Sequence, residues 1–219
     1  MIRGLFVTGT DTGVGKTVTC AALMCRLAAD PRVRYWKPIQ TGTEDEDDTA
    51  TVRRLSGCGA ARVIDEGVRL TRPVSPHLAA RLSGVTIEIA QLTGIAAAQA
   101  ASDRLIVEGA GGVLVPLNGD TLMVDLMVRL GLPVVVVARS TLGTINHTLL
   151  TLEALRGRSL TVAGVIMVGA RHPENREAVE RHGRTPVVAE LPVLEPLTPE
   201  ALQQAAEEMC GGRLAEMIQ

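Results

Sequence analysis

Short apolar, β-branched runs alternate along the chain with longer stretches whose apolar positions recur at helical spacing. Continuous or period-two runs predict strands at 2–8, 34–38, 104–108, 133–138, 162–168 and 186–189. Three-to-four-residue periodicity predicts helices over 17–29, 48–55, 75–82, 87–101, 122–130, 144–155, 173–181 and 199–217. The stretches "RLIVEG" and "LPVVVVA" are apolar through their middles, as expected of strands covered on both faces. Strands that alternate with helices fold as a mostly parallel sheet joined by right-handed crossovers. Ligands of such sheets bind beyond the carboxyl ends of the strands. No internal repeat, low-complexity segment or linker interrupts the pattern, so a single α/β domain over 1–219 is expected.

Composition narrows the class. The chain is 46% hydrophobic yet has one Phe, one Tyr and one Trp, so its core must be aliphatic. A formal charge of −2 without a long basic tract leaves no electrostatic footprint for nucleic acid or an anionic membrane. Scarce aromatics also argue against base stacking. Cys20, Cys25, Cys58 and Cys210 lack Cys-x-x-Cys spacing and read as reduced thiols. The N-terminal apolar run is too short for a signal peptide, and the longest apolar stretch, 132–138, is too short to span a membrane. The expectation is a soluble, cytoplasmic protein.

The chemistry is concentrated in four junctions. The first is "GTDTGVGKT", residues 9–17, between the first strand and the first helix. It has the Gly-Lys-Thr ending of a phosphate-binding loop, but Gly9 stands one residue further from that ending than usual, so the loop is enlarged. Gly9, Gly13 and Gly15 let successive N–H groups face phosphate oxygens, and the helix dipole adds to them. Lys16 supplies a point charge to the β- and γ-phosphates, and the Thr17 hydroxyl is a ligand for Mg²⁺. The fold is therefore expected to be P-loop NTPase-like.

The second junction is "WKPIQTGT", 36–43, with Lys37 at the strand end, Pro38 turning the chain and Thr41 in the following loop. Lys37 either faces the rim that Lys16 occupies or is an ordinary solvent-exposed lysine. The run "EDEDD", 44–48, reads as a solvated loop whose last member, Asp48, is either a helix cap or a carboxylate for Mg²⁺. In the third, "LIVEGAGG", 105–112, the strand ends in Glu108, which reads as a Walker B carboxylate or as a plain strand-ending acid before a flexible turn. The fourth is "STLGTINHT", 140–148, where small polar residues open a helix and His147 reads as a packed histidine. "VSPH", 74–77, is a helix start with Ser75 as cap and Pro76 in the first turn. The four histidines show no metal-site spacing.

The segments "GTDTGVGKT", "KPIQTG", "SPH", "VEGAGG" and "LGTINHTLLT", in this order over residues 7–151, resemble the dethiobiotin synthetases. The resemblance implies an ATP- and Mg²⁺-dependent cyclo-ligase, a homodimer, acting on 7,8-diaminononanoate and CO₂. It implies catalytic roles for Lys37, Lys16 and Thr12, and a substrate site containing Thr41, Gly111 and Gly112. ATP falls to Gly13, Val14, Gly15, Lys16, Thr17 and Val18, then to Asp48, Glu108, Gly109, Ala110 and Gly111, and the metal to Thr17, Asp48 and Glu108. Asp48 is chosen over Asp45 and Asp47 because "DTATVRRLSG" fits the helix that follows the ligand in the family.

The far carboxylate of the substrate needs an anion site, and the N–H groups of Leu142, Gly143, Thr144, Ile145 and Asn146 at a helix N-terminus offer one. In the family this segment comes from the neighbouring subunit. Where some relatives carry an Asn-Asp pair that reads adenine, this chain has Val168 and Gly169, which leaves base selectivity open, with backbone near Pro192, Val193 and Leu194 as the alternative. The rival is a partition-type ATPase switch acting through nucleotide-dependent partner binding. Those proteins resemble each other in a lysine early in the loop, and positions 10–14 have none. No Asn-Lys-x-Asp stretch is present for guanine.

Overall fold

In the computed structural model, which describes residues 2–44 and 47–209, the core of the molecule is one sheet with strand order β4-β2-β6-β1-β7-β8-β9. Its strands are β1 Arg3–Gly9, β2 Val33–Trp36, β4 Val63–Ile64, β6 Arg104–Gly112, β7 Val134–Arg139, β8 Val162–Val168 and β9 Val187–Leu191. Every neighbouring pair is parallel. The helices are α1 Lys16–Arg26, α2 Asp48–Ser56, α3 Pro76–Leu82, α4 Ile89–Ala97, α5 Met123–Leu130, α6 Thr144–Arg156, α7 Pro173–Gly183 and α8 Pro199–Glu208.

Strand alternation sorts the aliphatic side chains between two faces. Leu5, Val7, Tyr35, Ile106, Val135 and Ile166 pack under α1, α2 and α8. Phe6, Trp36, Val107, Val136 and Met167 pack with residues of α3, α4, α5, α6 and α7 on the other side. Burying each Leu, Ile or Val fully contributes roughly 1.5–3 kcal/mol, and this double-sided burial fixes the strand ends. The centre matters most. β1 lies between β6 and β7, with Val7 opposite Glu108 on one side and Val135 on the other, so the loops leaving β1 and β6 emerge side by side.

Three strands were not expected from the pattern. β3 Ile39–Thr41 and β5 Val68–Leu70 form a separate two-stranded parallel ladder, and β4 has only two residues. Thr41, expected in a loop, ends β3. The small ladder is started by a close approach: Val68 N–H donates to the Pro38 carbonyl at 2.9 Å. A Cβ on Gly67 (φ 151°) would stand 2.5 Å from that oxygen, so glycine is required there.

The helix expected over 87–101 is trimmed to α4, and the one expected over 199–217 is α8 as far as it is described. Its remainder, with Cys210, lies outside the described residues, as does Asp45. Asp47 is the cap of α2, its carboxylate accepting from Ala50 N–H at 3.0 Å, which frees Asp48 from that role. Ser75 precedes Pro76 as expected, but its hydroxyl faces His77 Nδ1 at 3.1 Å instead of capping α3. Cys20, Cys25 and Cys58 are free thiols. Among the described residues, no helix is long and apolar enough to cross a membrane.

Candidate functional site

β1 delivers the glycine-rich loop to the centre of the sheet edge, and α1 begins at Lys16. Gly15 caps that helix at φ 97°, where a Cβ would also come 3.1 Å from Val168 Cγ1, so the loop turns tightly against the end of β8. Lys16 is buried, and its Nζ donates to the Asp11 carbonyl at 3.0 Å. Burial lowers its pKa; Glu108 opposes that, while the nearby Lys37 adds to it. Thr12 is exposed on the loop, with its N–H held by Asp11 Oδ1 at 2.7 Å. The other oxygen of Asp11 pairs with Arg139 at 3.0 Å. Gly13 is exposed beside Thr12, whereas Val14 is buried and Val18 half-buried in the packing of α1.

Glu108 interrupts the apolar run of β6 and is 0% exposed. Oε1 accepts from Thr17 Oγ1 at 2.9 Å and from Lys37 Nζ at 2.7 Å; Oε2 accepts from the Tyr35 hydroxyl at 2.8 Å. Asp48, in the first turn of α2, accepts from the same Thr17 hydroxyl at 2.7 Å and pairs with Lys37 through its other oxygen. One hydroxyl proton cannot satisfy two carboxylates, so Thr17, Asp48 and Glu108 form a convergence of three oxygens. A hard divalent cation takes such a set and completes its shell with water and phosphate oxygens. Among the described residues no three His, Cys, Asp or Glu side chains come together, so a cation here would depend on the hydroxyl as well.

Lys37 is 4% exposed, which disposes of the solvent-exposed reading. Burial pulls its pKa down, but Glu108 and Asp48 outweigh burial and leave it raised, so it is a fixed cation. Its turn is braced by Arg69 on β5, missed in the sequence because nothing distinguishes it from its arginine neighbours. The Arg69 guanidinium donates at 3.2 Å to the Lys37 carbonyl, to Gln40 Oε1 and to Thr49 Oγ1, tying the turn to the start of α2.

The remaining positions fall into three groups. Gly109, Ala110, Gly111 and Gly112 continue β6 past Glu108; Gly111 has φ 67°, and Gly112 pairs with Gly9. Val168 ends β8, with Gly169 just after it, on the opposite side of the loop from Lys37. Gly169 N–H donates to the Leu191 carbonyl at 2.9 Å, which brings the exposed Pro192 and Val193 and half-buried Leu194 alongside.

Beside the loop, a groove of about 540 Å³ runs between Thr10–Thr12 and α6, lined also by Gly112, Val115 and His147. His147, expected to be packed, is exposed on this rim. The segment opening α6 lies outside that lining: Leu142 is 99% exposed, Gly143 is the cap at φ 92°, and Asn146 is exposed. Within this segment the Thr144 N–H donates to the Thr141 carbonyl at 3.2 Å and the Thr144 side chain is buried against Thr148.

Known proteins resemble both this fold and this sequence. A family model described as an AAA domain matches residues 3–201. The fold is similar to a ParA family ATPase from Chlorobium tepidum (TM-score 0.60, 12% identity, covering 99% of this chain and 96% of that one). It is also similar to the cell division ATPase MinD of Pyrococcus furiosus (TM-score 0.59, 15% identity, 94% and 98% covered). At such identities the likeness extends to the P-loop NTPase fold alone. Sequence likeness is far closer elsewhere. The ATP-dependent dethiobiotin synthetase BioD of Paramagnetospirillum magneticum is 50% identical over 198 residues, covering 90% of this chain and 91% of that protein. That of Nitrobacter hamburgensis is 48% identical over 206 residues, covering 94% and 93%. With the loop, the strand-end glutamate and the buried lysine in place and half the residues shared over nearly the whole length, this chain belongs to the ATP-dependent dethiobiotin synthetase family.

Proposed function

We propose that this chain is a single-domain, cytoplasmic, homodimeric cyclo-ligase. It converts 7,8-diaminononanoate, CO₂ and ATP to dethiobiotin, ADP and phosphate. One amine of the substrate takes up CO₂ and loses a proton to become a carbamate. A carbamate oxygen bonds to the γ-phosphorus as the bond to ADP breaks, giving a carbamic–phosphoric anhydride. The second amine attacks the carbonyl carbon, phosphate leaves, and the cyclic urea closes with loss of a proton.

The carbamate and the transferring phosphoryl group are both anionic, so the protein's task is positioning and charge neutralisation. The observation that carries the reading is Lys37, a buried and permanently charged ammonium at the strand end, set against Asp48 and Glu108 beside the phosphate-binding loop. Lys37 and Thr41 hold the carbamate end, with Thr12, Gly111 and Gly112 bordering it. Lys16 and the loop N–H groups from Gly13 to Val18 hold the phosphates. Thr17, Asp48 and Glu108 would hold Mg²⁺, which when bound neutralises phosphate oxygens. Gly109 and Ala110 line the nucleotide side, with Val168, Gly169 and Pro192–Leu194 around the base. The groove beside Thr10–Thr12 suits the aliphatic chain of the substrate. Half-exposed Leu114 and Leu150, with Leu142, suit a subunit interface across which Leu142–Asn146 would reach the substrate carboxylate of the neighbouring site.

Incubation with the diamine, bicarbonate, Mg²⁺ and ATP should yield dethiobiotin by mass spectrometry. ADP production that does not depend on the diamine would instead support the nucleotide-switch reading.

A further inference from the structure

Tyr35 is the single tyrosine of the chain, and none of the roles above uses it. It lies on β2 opposite Ile106 of β6, and both side chains point to the face under α1. Two residues beyond Ile106, on that same face, is Glu108. The Tyr35 ring, 0% exposed, runs along this ladder and its hydroxyl donates to Glu108 Oε2 at 2.8 Å. Thr17 and Lys37 both engage Oε1. Glu108 has no exposed surface, so solvent cannot replace a missing donor. The Cys20 thiol on the same face is buried and is the weaker kind of donor.

The division of partners between the two oxygens has a physical consequence. The terminal torsion of a glutamate is broad, so a carboxylate gripped at one oxygen swings. Tyr35 blocks that swing and keeps Oε1 turned toward Thr17 and Asp48. Its phenol is the donor in that contact, because a carboxylate oxygen can only accept.

We propose that Tyr35 is a positioning residue of the divalent-cation site: it fixes the orientation of Glu108 so that one oxygen is presented to the cation, and itself touches neither cation nor substrate. This rests on the reading of Thr17, Asp48 and Glu108 as the cation-holding set.

The test uses Tyr35→Phe, which keeps the ring and removes one oxygen atom. Mn²⁺ is titrated into the full-length protein saturated with ADP, and free Mn²⁺ is followed by its EPR signal. Loss of a hydrogen-bond partner behind a metal ligand weakens metal binding by about 10-fold or more, so Tyr35→Phe should weaken Mn²⁺ by about that factor, while KM for the diamine stays within about twofold. Because Tyr35 acts through Glu108, Tyr35→Phe added to Glu108→Gln should weaken Mn²⁺ no further than Glu108→Gln alone. A folded Tyr35→Phe protein with unchanged Mn²⁺ affinity and only a lowered Tm would overturn the proposal, as would independent, multiplying effects of the two substitutions. If Glu108→Gln leaves Mn²⁺ affinity untouched, the cation-site reading itself falls, and the positioning role with it.

Discussion

Replacing Lys37 with methionine removes a buried ammonium while keeping an unbranched side chain of similar length. Lys37 is 4% exposed and Glu108 0%, whereas the Asp48 side chain is 23% exposed. The variant therefore strands one fully buried carboxylate and one that water partly screens. Breaking a buried ion pair by removing one partner costs about 3–5 kcal/mol. Glu108 keeps its hydrogen bonds from Tyr35 and Thr17, and Asp48 keeps some solvent, so the low end applies, about 3 kcal/mol.

For a chain of this size each kcal/mol is about 2–4 °C in Tm, so the melting temperature should drop by roughly 6–12 °C. Millimolar Mg²⁺ should narrow that gap, since it returns positive charge to the same two carboxylates. Turnover should fall by about 10²–10³-fold through loss of a cation where charge accumulates. Calorimetric melts of wild type and variant with and without Mg²⁺, beside steady-state assays, test all three. An unchanged Tm, or a gap indifferent to Mg²⁺, would refute the buried-pair geometry; near-normal turnover would refute the role of Lys37.

Other substitutions separate neighbouring functions. Lys16→Ala should lose turnover by about 10²–10³-fold yet melt close to wild type, because among the described residues its ammonium donates to the Asp11 carbonyl alone; strong unfolding in thermal melts would contradict this. Asp48→Asn should raise the Mg²⁺ concentration needed for half-maximal rate, whereas Asp47→Ala should cost about 1 kcal/mol of helix-cap stability with that Mg²⁺ requirement unchanged; the reverse pattern in a Mg²⁺ titration would exchange their roles. Gly143→Val, at φ 92°, and Asn146→Ala should raise KM for the diamine and leave ATP affinity intact. Mixing inactive Lys16→Ala and Gly143→Val chains should restore activity, and failure to do so in demonstrated heterodimers would remove the segment from the neighbouring site.

What was legible in the sequence follows from how strongly each feature is encoded locally. β1, the loop and α1 were readable because glycine spacing, Lys16-Thr17 and an apolar run coincide within a few residues. The first part of β6 was readable because a continuous apolar run leads into Glu108, whereas its extension through residues 109–112, expected as a flexible turn, was not. β3 and β5 were not, since strands of three residues carry no periodicity and their pairing depends on the approach of Gly67 to Pro38. That hid Arg69, whose partners at Lys37, Gln40 and Thr49 lie 20 to 32 residues away in the chain. Lys37 was ambiguous because burial of a strand-end lysine is decided by two carboxylates, one of them 71 residues distant. Tyr35 drew no reading from the sequence, because only its hydroxyl, and not its position in a strand, marks it as polar. His147 was expected to be packed, yet the turn of α6 leaves it on the groove rim.

The most direct measurement follows one oxygen atom. If a carbamate oxygen attacks the γ-phosphorus and the anhydride then loses phosphate, that oxygen leaves with phosphate. A single turnover with C¹⁸O₂ in unlabelled water, quenched before the label exchanges with solvent, should give dethiobiotin and phosphate carrying one ¹⁸O. Phosphate bearing no label, or formed equally fast without the diamine, would contradict ATP-driven carboxylation at this site.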